Sequence, residues 1–219
     1  MNKTRIPPRL RYGLVGLVIV GLTFIVISVL TPLRERSAFI NAMAKAKQIR
    51  LALTEYAIDY DGLFPQAGAD SNSAYRQLFN ERFKDERVFY VPGSAWHNSL
   101  PAGAANGPDG EIGLYPSYPR ALTVGENHWA YVNGLNNGSK GDLPLVVDGF
   151  TETVGVYSHD PKAKGGVHGD RVIIVRADAS SMLARPAKNG RVFVDRDGEK
   201  IDVFSHEYGV DPADLRNPL

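Results

Sequence analysis

Cysteine is absent from the 219 residues of this chain, which excludes disulfides, cysteine-ligated zinc and thiol catalysis. An excess of one charge is also lacking, because 25 Lys and Arg are balanced by 24 Asp and Glu. A net charge of +1 gives no bulk attraction to nucleic acid. The chain has no G-x-S-x-G nucleophile elbow, phosphate-binding loop or dinucleotide fingerprint. The sequence therefore predicts neither an enzyme nor a nucleic-acid-binding protein.

Acidic residues are missing from the first 34 positions, where four basic residues precede a long apolar run. The run Gly13–Leu30 contains two polar residues, and its extension to position 33 gives about 21 residues, enough to cross the hydrocarbon core as a helix. Because basic flanks stay in the cytoplasm, we expect a cytoplasmic leader at 1–12, one transmembrane helix at 13–33 and an exported remainder. A cleaved secretory signal is the alternative, but no small-x-small site follows the run.

A second helical segment is predicted at 34–62. Strong helix formers dominate it, and its larger apolar residues recur at spacings of three and four, which places them on one face. These residues are Phe39, Met43, Ala46, Ile49, Leu53, Tyr56 and Tyr60. Asp61-Gly62 offers a cap and Pro65 follows, so the helix is expected to end there. Pro32 is expected to bend the helix rather than end it.

This order of features resembles the type IV pilin-like proteins, closest to the pseudopilins of type II secretion systems. The resemblance rests on the basic leader, Gly13, the apolar run, Pro32 and the segment QIRLALTEYAIDYDGLFP at 48–65. The segments HWAYVNGL, LPLVVDGF and HGDRVIIVRADASS are similar to head-domain strands of such proteins. The resemblance implies a structural subunit of the bacterial inner membrane with a periplasmic head. Its implied partners are membrane lipid and other pilin-like subunits or secretion-system components, joined as homo- or hetero-oligomers through the N-terminal helix.

The resemblance also assigns residues of the N-terminal segment. It places processing at the Gly13–Leu14 bond and makes Leu17, Phe24 and Pro32 part of the membrane and assembly helix. Family members carry Phe after the glycine and Glu at the fifth mature position, where this chain has Leu14 and Leu17. A tip subunit and a relative that is never processed both fit these departures. A stand-alone, membrane-anchored periplasmic binding domain is the alternative function, and an anchored hydrolase is a third.

Residues 63–219 are predicted to form one α+β head, in which a mainly antiparallel sheet packs on the long helix. Apolar runs separated by Asn-Gly, Asp-Gly and Gly-Gly turns indicate the strands. The predicted strands are Arg87–Val91, Trp129–Val132, Leu143–Val147, Val154–Tyr157, Val172–Arg176, Arg191–Val194 and Ile201–Phe204. The Gly- and Pro-rich stretch Pro92–Gly125 predicts a long loop that either wraps the sheet or offers Trp96, Tyr115 and Tyr118 to a partner.

The spacing of Asp195, Asp197 and Glu199 is similar to that of calcium-loop ligands, although an EF-hand needs more positions. Pseudopilins carry a calcium site late in the head, so the resemblance makes calcium the one candidate cofactor. A hairpin with Asp-Gly in its turn explains the same residues.

Histidines suggest a second candidate metal cluster, formed by His159, Asp160, His168 and Asp170. Their spacing matches no familiar zinc motif, and the segment is more typical of a polar loop. The resemblance implies that His168 serves structure or interaction rather than catalysis.

Overall fold

The structure is a computed structural model that describes residues 8–80, 83–94, 96, 107–166, 168 and 170–219. In the N-terminal part of the first helix, the described side chains are those of positions 21, 23 and 24 and of position 36 onward. The chain divides into two compact units, residues 1–40 and 41–219. The candidate sites all lie in the second unit.

Helix α1 spans Pro8–Asp59. Phe24 is exposed, whereas the side chains of Gly13, Leu14, Leu17 and Pro32 lie outside the described part of the structure. Among the residues that the structure describes, no helix combines the length and apolar character needed to cross a membrane.

The second half of α1 buries the middle of the face that its periodicity predicts, whereas Tyr60 at the end of that face is exposed. Ala46, Ile49 and Leu53 are fully buried. Arg50 is buried as well, and its guanidinium donates to the Ala177 carbonyl, with Nε 3.0 Å from the oxygen. This contact fixes α1 to the end of a strand of the sheet.

Helix α1 ends at Asp59, three residues before the end of the predicted segment 34–62. Asp61 and Gly62 adopt positive φ angles of 52° and 83°, and the Gly62 N–H donates to the Ala57 carbonyl at 2.8 Å. A positive φ is favourable for glycine, so the predicted cap is confirmed.

A five-stranded antiparallel sheet forms the centre of the head, in the order β4-β3-β2-β1-β7. Its strands are β1 (Trp129–Val132), β2 (Pro144–Asp148), β3 (Val172–Arg176), β4 (Ser181–Ala184) and β7 (Leu215–Arg216). A separate hairpin pairs β5 (Phe193–Arg196) with β6 (Glu199–Asp202). The predicted α+β class with a mainly antiparallel sheet is confirmed.

Two predicted strands are wrong. Within Arg87–Val91 the chain forms a 3₁₀ turn, Glu86–Val88, because the Asp85 carboxylate caps the Arg87 N–H at 3.0 Å. Val154–Tyr157 forms a turn in which Gly155 has a φ of +78° and the Tyr157 N–H donates to the Gly190 carbonyl.

Both faces of the sheet are covered, so its central strands are buried along their length except at Arg176, the last residue of β3. On one face, Val147 and Ile174 pack with Phe150 and with Phe204 from the C-terminal segment. On the other face lies the short helix α2 (Ser71–Arg76), whose Tyr75 donates to the Ala130 carbonyl at 2.9 Å. Polar residues at the strand ends are therefore held in a rigid and largely dry setting.

Candidate functional site

Three ligand-type side chains meet at one end of the sheet. Trp129 of β1 pairs with Asp148, the last residue of β2, so His128 just before β1 comes beside Asp148. His168 belongs to the segment before β3, where it bridges to Arg171. One potential ligand atom from each of His128, Asp148 and His168 lies within 4.8 Å of the others.

Both imidazoles approach the same carboxylate oxygen. His128 Nε2 lies 2.8 Å from Asp148 Oδ1, and His168 Nε2 lies 3.7 Å from that same atom. The centroids of the two imidazole rings are 5.5 Å apart. The geometry is therefore convergent, with two nitrogens directed at one oxygen.

The surrounding protein also contacts the second ring nitrogen of His128 and the second carboxylate oxygen of Asp148. Ser94 Oγ lies 2.5 Å from His128 Nδ1, and the Ile173 N–H donates to Asp148 Oδ2 at 2.7 Å. The adjacent residue must be small, since a Cβ on Gly149 would come within 2.2 Å of the Trp96 indole nitrogen. These contacts fix the orientation of the His128 ring and of the carboxylate.

Burial and charge act against each other in this cluster. Burial lowers the pKa of His128, and the neighbouring Asp148 only partly offsets it. Burial also acts to lower the pKa of His168, but the charge of Asp148 outweighs it and raises that pKa. For Asp148, burial acts to raise the pKa, yet the charge of His168 and the hydrogen bond from His128 lower it well below its usual range. The two histidines therefore favour the ionised form of the Asp148 carboxylate, against the effect of its burial.

Ser94, His128 and Asp148 also have the order of a nucleophile, a base and an orienting acid. Ser94 is only 3 % exposed, however, and its oxygen already accepts the Trp96 N–H at 3.2 Å. A nucleophile must reach the substrate carbonyl, so this burial argues against acyl transfer at Ser94. Two imidazoles and a carboxylate are, in contrast, a donor set suited to transition metals.

The predicted calcium ligands lie elsewhere, on the β5–β6 hairpin. Asp197 and Gly198 form its turn with φ angles of 57° and 87°, which confirms the hairpin interpretation. Arg196 pairs with Glu199, so Glu199 and Asp195 point to opposite faces of the ladder. The Asp195 carboxylate accepts the Gly198 N–H at 3.0 Å. The hairpin therefore does not gather these carboxylates round one point.

The predicted histidine cluster is also dispersed, and only His168 reaches the site. His159 Nε2 hydrogen-bonds to the Ala187 carbonyl at 2.9 Å, and Asp170 pairs with Arg185 at 2.7 Å. Asp160 instead accepts the backbone N–H of Lys162.

A second group of carboxylates clamps the loop that was predicted at 92–125. Glu86 accepts the N–H groups of Gly110 and Leu122, and Glu126 accepts that of Asp109. Burial raises the pKa of Glu86 in spite of these hydrogen bonds. Because their oxygens are occupied by loop donors, Glu86 and Glu126 have a structural role.

The aromatic residues of this loop do not form one exposed surface. Trp96 and Tyr118 are buried, and Tyr115 is exposed. Over residues 107–125, the structure therefore supports a loop that wraps the head rather than one that offers all three rings to a partner.

Sequence reasoning missed His128 and Asp148 as site residues. The three head segments that carry the resemblance nevertheless contain one site residue each, namely His128, Asp148 and His168. The presence of a ligand-type residue in each of these segments is the sequence feature that could have indicated the site.

Comparison with known protein families, curated proteins and solved structures finds no match to this chain. The class that the structure defines is therefore an α+β head with a buried His–Asp–His cluster, preceded in the chain by a long helix.

Proposed function

We propose that this chain is a pilin-like structural subunit, held in the bacterial inner membrane by residues 13–33 with its head, residues 63–219, in the periplasm. The observation that carries the proposal is α1, Pro8–Asp59, which joins an apolar run to the buried helix of an α+β head. In such a subunit, one helix supplies both the anchor and the support of the head.

The mechanism is assembly rather than turnover. In lipid, apolar side chains gain little by leaving the hydrocarbon, so lateral association depends on close packing of helices. The run 13–33 contains Gly16 and Gly21, which permit close approach, and in the described part a Cβ on Gly21 would meet nothing within 4 Å. The head would then present its surface to secreted cargo or to other components of the assembly.

A stand-alone anchored binding domain is the second candidate, and one observation favours it. The chain has no acidic residue before Glu35, and Leu17 stands where pilin-like proteins carry the glutamate thought to pair with a neighbouring N-terminus. A subunit without this charge fits either the tip of a filament or a permanent anchor.

N-terminal sequencing and intact mass of the protein from its native membrane separate these functions. A mature chain that starts at Leu14, with a methylated amine, is expected for a processed pilin-like subunit. The variant Gly13→Leu should keep Met1, because it alters the cleavage bond. Gly16→Ala, a matched change within the run, should be processed normally.

A wild-type chain that still starts at Met1 would contradict processing and favour the permanent anchor. Release of the wild-type protein from membranes by alkaline carbonate would contradict both functions, because each requires residues 13–33 to span the bilayer.

A further inference from the structure

We propose that His128, Asp148 and His168 bind one divalent transition-metal ion, with Zn²⁺ as the test case, through Nε2 of each histidine and Oδ1 of Asp148. The site lies wholly within the unit 41–219 and does not depend on the pilin-like function proposed above.

The two separations measured from Asp148 Oδ1 are compatible with coordination of a single ion by the three side chains. Bonds of about 2.0–2.1 Å to a tetrahedral zinc ion place neighbouring ligand atoms about 3.3 Å apart. The observed separations from Asp148 Oδ1, 2.8 Å to His128 Nε2 and 3.7 Å to His168 Nε2, lie on either side of that value. The longer one exceeds an ordinary N–H···O hydrogen bond, so His168 is placed at ligand spacing.

The groups behind the ligands match the support that metal sites require. A metal-bound histidine usually donates its other ring N–H to a fixed acceptor, and a ligating carboxylate is hydrogen-bonded in turn. Ser94 Oγ contacts His128 Nδ1, and the Ile173 N–H contacts Asp148 Oδ2. Because a hydroxyl both donates and accepts, Ser94 satisfies Nδ1 whichever ring nitrogen of His128 carries the proton.

The donor types select the class of metal. Calcium and magnesium prefer sets made of oxygen alone, whereas imidazole with carboxylate suits zinc and neighbouring first-row ions. One carboxylate and two neutral imidazoles leave a divalent ion with a net charge of +1. Three protein ligands also leave a fourth position open, and the 22 % exposure of the His168 side chain connects the cluster to solvent.

The ion would join three segments that are distant in sequence: the start of β1, the end of β2 and the approach to β3. In a chain without cysteine, such a link replaces the cross-links that disulfides provide elsewhere. Since the ion binds only the folded arrangement, zinc is expected to raise the thermal midpoint of the head.

The test uses the purified full-length chain in detergent, stripped with EDTA and titrated with ZnCl₂ against a chromogenic competing chelator. One equivalent of Zn²⁺ is expected to bind per chain. Removal of a ligand in His168→Gln should weaken binding by at least about 100-fold, and Ser94→Ala, which removes a supporting contact, by about 10- to 100-fold. His206→Gln is the matched control, because His206 Nε2 lies 3.6 Å from Asp211 Oδ1 in an exposed pair of the same composition.

His168→Gln must retain the circular dichroism and tryptophan fluorescence of the wild type, so that its loss of zinc does not reflect unfolding. X-ray absorption of the wild-type complex should show nitrogen and oxygen ligands at about 2.0–2.2 Å, with an imidazole signature. The proposal is overturned if the wild type binds no zinc, if folded His168→Gln binds as tightly as the wild type, or if His206→Gln loses as much affinity.

Discussion

Replacement of Asp148 by alanine should destabilise the head strongly. Asp148 is buried and accepts hydrogen bonds from the Ile173 N–H at 2.7 Å and from His128 Nε2 at 2.8 Å. Each buried donor left without a partner costs about 1–3 kcal/mol. Loss of the charge interaction with His168, whose side chain is 22 % exposed, adds to this cost.

The two donors together give an expected loss of about 4 kcal/mol, within the range of about 3–5 kcal/mol known for breaking a buried charge pair. Typical domains are stable by about 5–15 kcal/mol, so the Asp148→Ala head should still fold. Asp148→Asn keeps the volume and one acceptor oxygen, so it should cost less than the alanine variant.

Urea denaturation with EDTA present measures the loss without any contribution from metal. Trp96 and Trp129, the two tryptophans of the chain, are buried near the cluster, so their fluorescence reports its unfolding. With a slope of about 2 kcal/mol per molar urea, the midpoint should fall by about 2 M.

Asp142→Ala is the control for this experiment, because it removes a half-exposed pair with Arg196. Its loss should stay below about 1 kcal/mol. Equal midpoint shifts in Asp142→Ala and Asp148→Ala would refute the argument that buried donors depend on Asp148.

Two further predictions concern other parts of the head. Gly165→Ala and Gly198→Ala both place a side chain at positive φ, which costs about 1–2 kcal/mol. At Gly165 alone of the two, the new Cβ would also come within 2.3 Å of the Thr151 nitrogen. Gly165→Ala should therefore lose about 1–3 kcal/mol more than Gly198→Ala in urea denaturation, and equal losses would contradict the close packing. Burial raises the pKa of Glu86 in the folded head. The protonated carboxyl therefore contributes fully to stability below the usual glutamate pKa, and this contribution is lost as the pH rises through the raised pKa. The unfolding free energy of the wild type minus that of Glu86→Gln should thus fall as the pH rises above the usual glutamate pKa of about 4.3. A difference that rises with pH would contradict the raised pKa.

Local pattern was sufficient for the central strands and insufficient at the edges of the sheet. Trp129–Val132 and Val172–Arg176 are apolar runs bounded by turn residues, and both form strands with the predicted bounds. Ser181–Ala184 was not predicted as a strand. It forms one because it pairs with β3, and this pairing leaves no periodic pattern in its own sequence. The burial of Arg50 could not be predicted for a similar reason, since the carbonyl that accepts from its guanidinium belongs to Ala177, far along the chain.

The site was harder to predict than the strands because its members come from three separate segments. His128 precedes β1 and Asp148 ends β2. Each strand alone predicts only a buried sheet, and the contact of the two residues depends on the pairing of Trp129 with Asp148. His168 was recognised as a candidate ligand but assigned to its sequence neighbours, which are occupied by contacts of their own. Proximity along a loop was therefore a poor guide to coordination, and strand register was the missing information.

The two proposals can be tested separately because they concern different units of the chain. Processing concerns the Gly13–Leu14 bond in residues 1–40, whereas the metal ligands all lie in residues 41–219. A chain that retains Met1 and binds zinc would be an anchored metal-binding head. A chain that starts at Leu14 and releases zinc when His168 is replaced would be a processed pilin-like subunit whose head is cross-linked by metal. In the second case, zinc removal should lower the free energy of unfolding of the head and leave the N-terminus unchanged. These two results together would show that the ion stabilises the structure and is not needed for processing.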